Sequence, residues 1–549
     1  MQNPRPHAIT KRSSRTREIL LFTWATLATA VVIVLAVWMQ KPTTTTTPPP
    51  PTTKRNLVFM VSDGMGPASL SLTRSYRQHV ESLPIHDTLT LDRHFWGTSR
   101  TRSTSSLVTD SAAGATAFSC ARKSYNGAIS VTPDREPCGT VLEAAKRAGY
   151  VTGLAVTTDV TDATPACFAS HVLLRSMEDD IALQEVGEGV LGRTVDLLVG
   201  GGRCHFLPNS TAGSCRADDV DVAALAARDH GWTYADSRAG FDAFARPDSD
   251  VRLPYLGLFA PRDIPFELDR RAMPDVYPSL SEMTAASLRA LDRATADSDT
   301  GFFLMVEGSR IDHAGHINDP AAQVHEVLEY DAAFRAVLDF IRHSDTETVL
   351  VATSDHETGG LATAIQEPGH LPVYGWYPEA LARASSSCEF LAAKLARHVA
   401  SRKEDGEDGQ GSSTATGHLR SWIEKNILRD GLGVDDATDE ELQLLVRQAD
   451  SAVTVLSAII SLRAHVGWST HGHTAVDVNI YSSGNVDAVS DIRGNVENTD
   501  VGRFLRDYLA VDVEPITKEL KEKMDLAGAE SMLDHQAEHF HESRLLTSV

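Results

Sequence analysis

The sequence predicts an α/β fold: a doubly wound, mostly parallel central sheet flanked by helices, with an inserted crown-like region and a single N-terminal transmembrane helix. Three observations predict it. Short apolar runs with almost no charge, residues 56–61, 150–157, 195–199, 301–306 and 348–352, read as strands buried on both faces. Amphipathic stretches at 142–148, 280–291 and 325–342 alternate with them, the pattern of βαβ units. Three of the runs end alike, on a carboxylate at a turn: Asp63, Glu307 and Asp355. In open α/β sheets ligands bind beyond the carboxyl ends of the strands, so this repeated ending marks one edge of the sheet as the functional one.

The chain opens on residues 1–18, where Arg5, Lys11, Arg12, Arg15 and Arg17 face one acid, Glu18. Residues 19–39 then carry no charge and match the ~20 residues that cross a bilayer. Basic residues ahead of the span predict a cytoplasmic tail, and the length of the run and the lack of a small-residue cleavage site favour a retained single-pass anchor over a signal peptide. Residues 40–55 are a Thr/Pro-rich linker that can build no core. Residues 56–512 form the expected catalytic domain, with a variable insertion at about 365–465 that includes a polar run, 401–417, expected as a mobile loop. Residues 513–549 read as a charged C-terminal tail, a processed or docking segment. The tripeptide Asn209-Ser210-Thr211 is an N-glycosylation acceptor, in keeping with a lumenal or external domain.

The net charge of −23 argues against a nucleic-acid partner and requires a local positive site for any anionic substrate. Six cysteines allow many pairings; Cys204 and Cys215 flank a short loop and are the favoured bridge, and Cys167 suits a buried thiol. No CxxC pair is present, which argues against a cysteine zinc site.

The chemistry gathers around Glu307-Gly308-Ser309-Arg310-Ile311-Asp312-His313-Ala314-Gly315-His316. Asp312 and His316, at i,i+4, can aim at one point from a single helical turn. Asp355-His356 follows another strand and His471 precedes one at 476–481. Three histidines and four carboxylates at one edge are costly unless cations neutralise them. Two zinc ions and one harder ion account for these residue types. Ser111, ahead of a run of small residues, reads as a helix N-terminus and a candidate nucleophile, since a neighbouring cation favours its ionised form. Arg175, expected on a helix together with His171, offers the planar fork that grips two phosphate oxygens. His473 is expected not to be a ligand, and His313 to line the pocket. Singly, each of these residues could be a turn residue, a helix cap or a core histidine; jointly they point to a metal-assisted hydrolase.

Val61-Ser62-Asp63-Gly64-Met65-Gly66, Thr109-Asp110-Ser111-Ala112, Asp162-Ala163-Thr164-Pro165-Ala166, Glu307 to His313, Ser354-Asp355-His356 and Thr470-His471-Gly472, in this order, resemble the blocks of the alkaline phosphatase family over about residues 56–507. The resemblance implies a phosphomonoesterase that hydrolyses phosphate monoesters at alkaline pH through a phosphoseryl intermediate, with two Zn2+ and one Mg2+ per subunit. It assigns Ser111 as the phosphorylated nucleophile, Arg175 as the phosphate ligand and Asp110 as the residue orienting Arg175. It gives Asp312, His316 and His471 to the first zinc and Asp63, Asp355 and His356 to the second. Asp63, Thr164 and Glu307 fall to magnesium, with Asp162 acting through its waters. Asp162 is of the bacterial type while His313 is the residue animal members carry, so the third metal is left open. The anchor and short tail are similar to the vacuolar, repressible branch found in fungi. That implies a vacuolar membrane location with a lumenal catalytic domain, the alternative being the external face of the plasma membrane. Members are usually homodimers. Sulfatases need x-Pro-x-Arg after the nucleophile, which is absent after Ser111, and a scaffold without turnover should lack a ligand, whereas none is missing.

Overall fold

The computed structural model describes residues 12–39, 53–249, 251–366, 369–404, 413–483, 487–524 and 526. The described residues fall into two units, one within residues 1–48 and one within residues 49–549. In the first, Arg12–Met39 is one helix, whose side chains are described only for residues 17–31. The expected span at 19–39 thus runs past the described side chains. Among the described residues no single helix is long and apolar enough to cross a membrane. The bulk of the expected linker and of the C-terminal tail lies outside the described residues.

Among the described residues, the second unit holds twelve strands: β1 Arg55–Val61, β2 Phe95–Arg100, β3 Val151–Asp159, β4 Leu197–Gly201, β5 Thr233–Ala235, β6 Tyr255–Leu258, β7 Phe302–Glu307, β8 Glu347–Thr353, β9 Glu357–Thr358, β10 His473–Thr474, β11 Val478–Ser483 and β12 Gly494–Glu497. Ten of them form one sheet in the order β12-β2-β11-β8-β1-β7-β3-β4-β6-β5, and β9 with β10 makes a separate two-stranded ladder. Within the large sheet only β11 runs against its neighbours, among the described strands. The central strands are apolar because helices cover both faces. Phe303, Met305, Leu57 and Phe59 enter one buried cluster, and Phe302, Leu304, Val58 and Met60 the opposite one, as the two-residue period of a strand requires. Thr233–Ala235, Tyr255–Leu258, Phe95–Arg100 and Gly494–Glu497 extend the sheet beyond the strands legible in sequence.

Register matters most for the site. β8, β1, β7 and β3 are consecutive neighbours. Val61 lies opposite both Glu307 and Thr353, and Val156 opposite Glu307. β1, β7 and β8 therefore stop level, β3 runs three residues further to Asp159, and the residues that follow are released along one edge.

The insertion is helical rather than loose: Pro378–Ala382, Cys388–Glu404, Ser413–Ile423, Asp439–Arg447 and Ala452–Ala464 share a buried cluster that includes Leu391, Leu395, Ile427, Leu456 and Ile460. The polar run expected as a loop is helical at both ends, at Cys388–Glu404 and Ser413–Ile423; its middle, 405–412, lies outside the described residues. Cys204 and Cys215 form a disulfide, and Cys167 is a buried thiol, as are Cys120, Cys138 and Cys388. Asn209 is exposed, with its side-chain amide donating to the Ala217 carbonyl at 3.0 Å.

Candidate active site

Ser111 opens the helix Ser111–Ser119. Asp110 caps it, accepting from the Ala113 amide at 3.0 Å and from the Gly127 amide at 2.9 Å. Both side chains are buried, and the helix N-terminus behind Ser111 favours negative charge there. Gly114, one turn on, passes so close to Asp355 that a Cβ would stand 3.0 Å from that residue's own. The Ser111 hydroxyl consequently reaches the strand edge, 3.0 Å from His356 Nε2.

His356 is fully buried and lies at the centre of the cluster. Its Nε2 is 3.4 Å from Asp63 Oδ1 and 3.2 Å from Asp355 Oδ2, and its ring stacks on His473 with centroids 3.5 Å apart. Around Asp312 a second group forms. His316 Nε2 is 3.2 Å from Asp312 Oδ2, His473 Nε2 is 3.5 Å from Asp312 Oδ1, and His473 Nε2 is 3.0 Å from His316 Nε2. Both groups, Asp63–Asp355–His356 and Asp312–His356–His473, have donor atoms close enough to share an ion.

The second group corrects an expectation. His473, not His471, joins the cluster. The His471 ring is exposed and its Nδ1 lies 2.8 Å from the His316 carbonyl. His473 begins β10, which pairs with β9 so that His473 faces Thr358. Its Nδ1 lies 2.8 Å from the Thr109 carbonyl, an N–H donor contact that leaves the Nε2 lone pair facing Asp312 and His316. His313 Nδ1 pairs with Asp263 Oδ2 at 3.1 Å. Two hydroxyls that sequence did not single out complete the arrangement. Thr358 donates to Asp312 and lies 3.2 Å from His356 Nδ1. Ser309 donates to Glu307 at 2.7 Å.

Arg175 does not ride on a helix. The helix Ala163–Ala169 ends at an extended Ser170, and a short bridge between Ile129 and Val172 carries the chain away. His171, in the same loop, instead pairs with Glu143 at 2.8 Å. The Arg175 guanidinium reaches Asp162 Oδ1 at 2.7 Å and Asp110 Oδ2 at 3.6 Å, so both carboxylates orient it. Burial first, and then the charge of Asp162, raises the Glu307 carboxyl.

The electrostatics are those of a site built for cations. Burial, then the charges of Asp355, Asp312, Glu307 and Asp162, push Asp63 well above the usual carboxylate range. Burial likewise lifts Glu307 to about 8 and Asp355 to about 7. Asp312 goes the other way: burial opposes ionisation, but His316, His473 and His356 hold it well below its usual value. Burial lowers His356 strongly and His473 to about 4, which leaves both imidazoles neutral with a lone pair to give. Asp63 Oδ1, Asp355 Oδ2 and Thr164 Oγ1 are buried without a hydrogen-bond partner. Buried polar atoms of this kind are rare and call for a ligand. The donor set fits metal ions.

Comparison with known proteins agrees with the geometry. The family model described as Alkaline phosphatase matches residues 54–511. The repressible alkaline phosphatase of Saccharomyces cerevisiae is 51% identical over 511 residues, covering 89% of this chain and 88% of that protein. The alkaline phosphatase of Schizosaccharomyces pombe is 46% identical over 472 residues, covering 85% and 83%. Among solved structures, the cold-active alkaline phosphatase from the psychrophile Shewanella sp. superposes with a TM-score of 0.66 at 30% identity, covering 83% of this chain and 99% of that one. The fold is accordingly alkaline phosphatase-like, and the family is metal-dependent. With the strand edge, the buried serine and the paired acid–imidazole groups in one place, the chain belongs to the alkaline phosphatase family, whose members are phosphomonoester hydrolases.

Proposed function

We propose that this protein hydrolyses phosphate monoesters at alkaline pH through a phosphoseryl intermediate on Ser111, with two zinc ions and one magnesium ion per subunit. The observation that carries the reading is the Ser111 hydroxyl lying 3.0 Å from His356 Nε2 in a buried cluster of carboxylates and imidazoles. Asp63, Asp355 and His356 would hold one zinc, Asp312, His316 and His473 the other, and Asp63, Thr164 and Glu307 the magnesium. His473 replaces His471 in this set. When bound, these ions supply positive charge that lowers the pKa of coordinated oxygen nucleophiles and offsets charge on the leaving group. Ser111 attacks phosphorus in line, and the N-terminal amides of its helix face the developing charge. Arg175, held by Asp110 and Asp162, grips the phosphoryl oxygens as a planar fork. Water then cleaves the phosphoserine and regenerates Ser111.

The basic segment, apolar run and Thr/Pro tract of the N-terminal 55 residues support a single-pass anchor with the catalytic domain on the far side, together with glycosylation at Asn209. We place the protein in the vacuolar membrane, with the external face of the plasma membrane as the alternative, and expect a homodimer. The test is Ser111→Ala with chromogenic monoester, diester and sulfate ester substrates and a zinc count on the same sample. Loss of monoester turnover at unchanged zinc supports the assignment, and unchanged turnover per zinc refutes it.

A further inference from the structure

A second group of metal-binding side chains is built on the turn that follows β3. Asp159 closes that strand, Glu178 opens the helix Glu178–Leu183, and His205 lies in the short turn Arg203–Phe206. All three are buried, with one donor atom each within 4.8 Å of the others. His205 Nε2 is 3.0 Å from Glu178 Oε2 and 3.7 Å from Asp159 Oδ2. Two ligands of one tetrahedral ion at ordinary bond lengths stand about 3.3 Å apart. The same spacing, 3.2 and 3.4 Å, separates His356 from Asp355 and Asp63 in the active site.

Two features separate this group from an ordinary ion-pair network. His205 Nδ1 lies 3.3 Å from Asp179 Oδ1, which directs Nε2 at the other carboxylates; a carboxylate behind an imidazole is the usual support of a metal-bound histidine. Independently, Glu185 is 0% exposed and neither of its carboxyl oxygens has a hydrogen-bond partner. Burial, then the charge of the neighbouring Glu178, raises its carboxyl well above the usual range. Over the group lies Arg262, with its side chain 56% exposed and Nη1 3.2 Å from Asp159 Oδ2 and 3.3 Å from His205 Nε2.

We propose that Asp159, Glu178 and His205, backed by Glu185, form a further divalent-cation site, distinct from the active-site ions, whose place the Arg262 guanidinium takes when no ion is bound. One imidazole nitrogen with two or three carboxylate oxygens suits a zinc- or manganese-class ion better than calcium. Arg262, whose side chain is more than half exposed, can swing into solvent and open the path of entry. The site is coupled to the active site through the chain. Thr161 donates to Glu178 at 2.8 Å and immediately precedes Asp162, and Glu178 follows three residues after Arg175. An ion here braces the two segments that hold the phosphate-gripping arginine.

The test equilibrates the full-length protein with zinc, then manganese, and counts bound metal per chain by mass spectrometry beside His205→Gln, Asp179→Asn and Arg262→Ala. The wild type is expected to hold one transition ion more than His205→Gln. Asp179→Asn should weaken the extra ion about 10–100-fold, and Arg262→Ala should bind it at least as tightly as the wild type. Equal metal counts in wild type and a folded His205→Gln overturn the proposal. If His205→Gln does not fold, Arg262→Ala decides, because it keeps every donor: absence of an extra ion in that variant overturns the proposal, and a tighter one supports it.

Discussion

Remove the metals, and the active-site carboxylates should make this protein alkali-sensitive. Asp355 is held at about 7, against 3.8 for a free aspartate, chiefly by burial and then by Asp312. Glu307 is held at about 8, against 4.5, by burial and then by Asp162 and Asp355, with Ser309 partly offsetting them. A carboxyl whose folded value exceeds its unfolded one keeps its proton more tightly in the folded chain. Below pH 4 this costs nothing; as pH rises from about 4 to the folded values of about 7 and 8 the folded state must either hold unwelcome protons or accept buried, mutually repelling charge, and above those values the loss is complete. For Asp355 alone, the displacement from 3.8 to about 7 is worth about 4 kcal/mol. Bound cations reverse the sign, since they stabilise the ionised forms. Urea unfolding of the full-length protein, followed by tryptophan fluorescence at pH 5 and 8.5 with and without chelator, should therefore give curves that separate widely at pH 8.5 and little at pH 5. Asp355→Asn removes one of the charges, and its chelated form should lose about 3 kcal/mol less between pH 5 and 8.5, because only the roughly two pH units from 5 to about 7 fall inside that interval. A chelated wild type as stable at pH 8.5 as at pH 5 refutes the reasoning, because the crowding of Asp63, Asp312, Glu307 and Asp355 would then cost nothing.

His473→Ala should reduce zinc affinity and kcat/KM by more than the ~10–100-fold that loss of an outer-shell partner costs, whereas His471→Ala, which removes an exposed ring, should leave both near wild type; metal titration of the two variants decides, and equal losses refute the assignment of His473. Gly64 has φ +76, and a Cβ there would stand 2.5 Å from the Asp312 Cα, so Gly64→Ala should cost at least the ~1–3 kcal/mol of a strained backbone and displace Asp312. The check is a urea midpoint together with a zinc count, and a variant unchanged in both refutes the close approach.

Why Asp63, Glu307 and Asp355 were legible while the role of His473 was not follows from the range of the forces that place them. Each of those carboxylates sits at or just past the end of an apolar strand, and the position of a strand end is written locally, in the switch from Val61 to Ser62-Asp63-Gly64 or from Val351-Ala352 to Ser354-Asp355. That the strands are neighbours needs the topology, but parallel βαβ winding leaves few alternatives. His471 and His473 stand two residues apart, the repeat of a strand, so local pattern alone would put both rings on one face. The choice is made by the antiparallel pairing of His473 with Thr358 and by the Thr109 carbonyl that accepts from its ring, contacts with segments more than a hundred residues away in the chain. Arg175 was misplaced for the same reason. The sequence after Pro165 continues in helix-compatible residues, but Ser170 turns extended and the Ile129–Val172 bridge pulls the chain off the helix axis. β2 and β12 escaped notice because Phe-Trp-Gly-Thr-Ser-Arg and Gly-Asn-Val-Glu carry no apolar period to betray them; pairing with β11 and with each other holds them in the sheet. Local composition thus marked where the strands deliver their charges, and long-range pairing decided which imidazole meets them. The ligand that sequence misassigned is accordingly the one whose ring is oriented by non-local contacts, and a chain carrying the same two histidines without the β9–β10 ladder would have no physical reason to prefer His473.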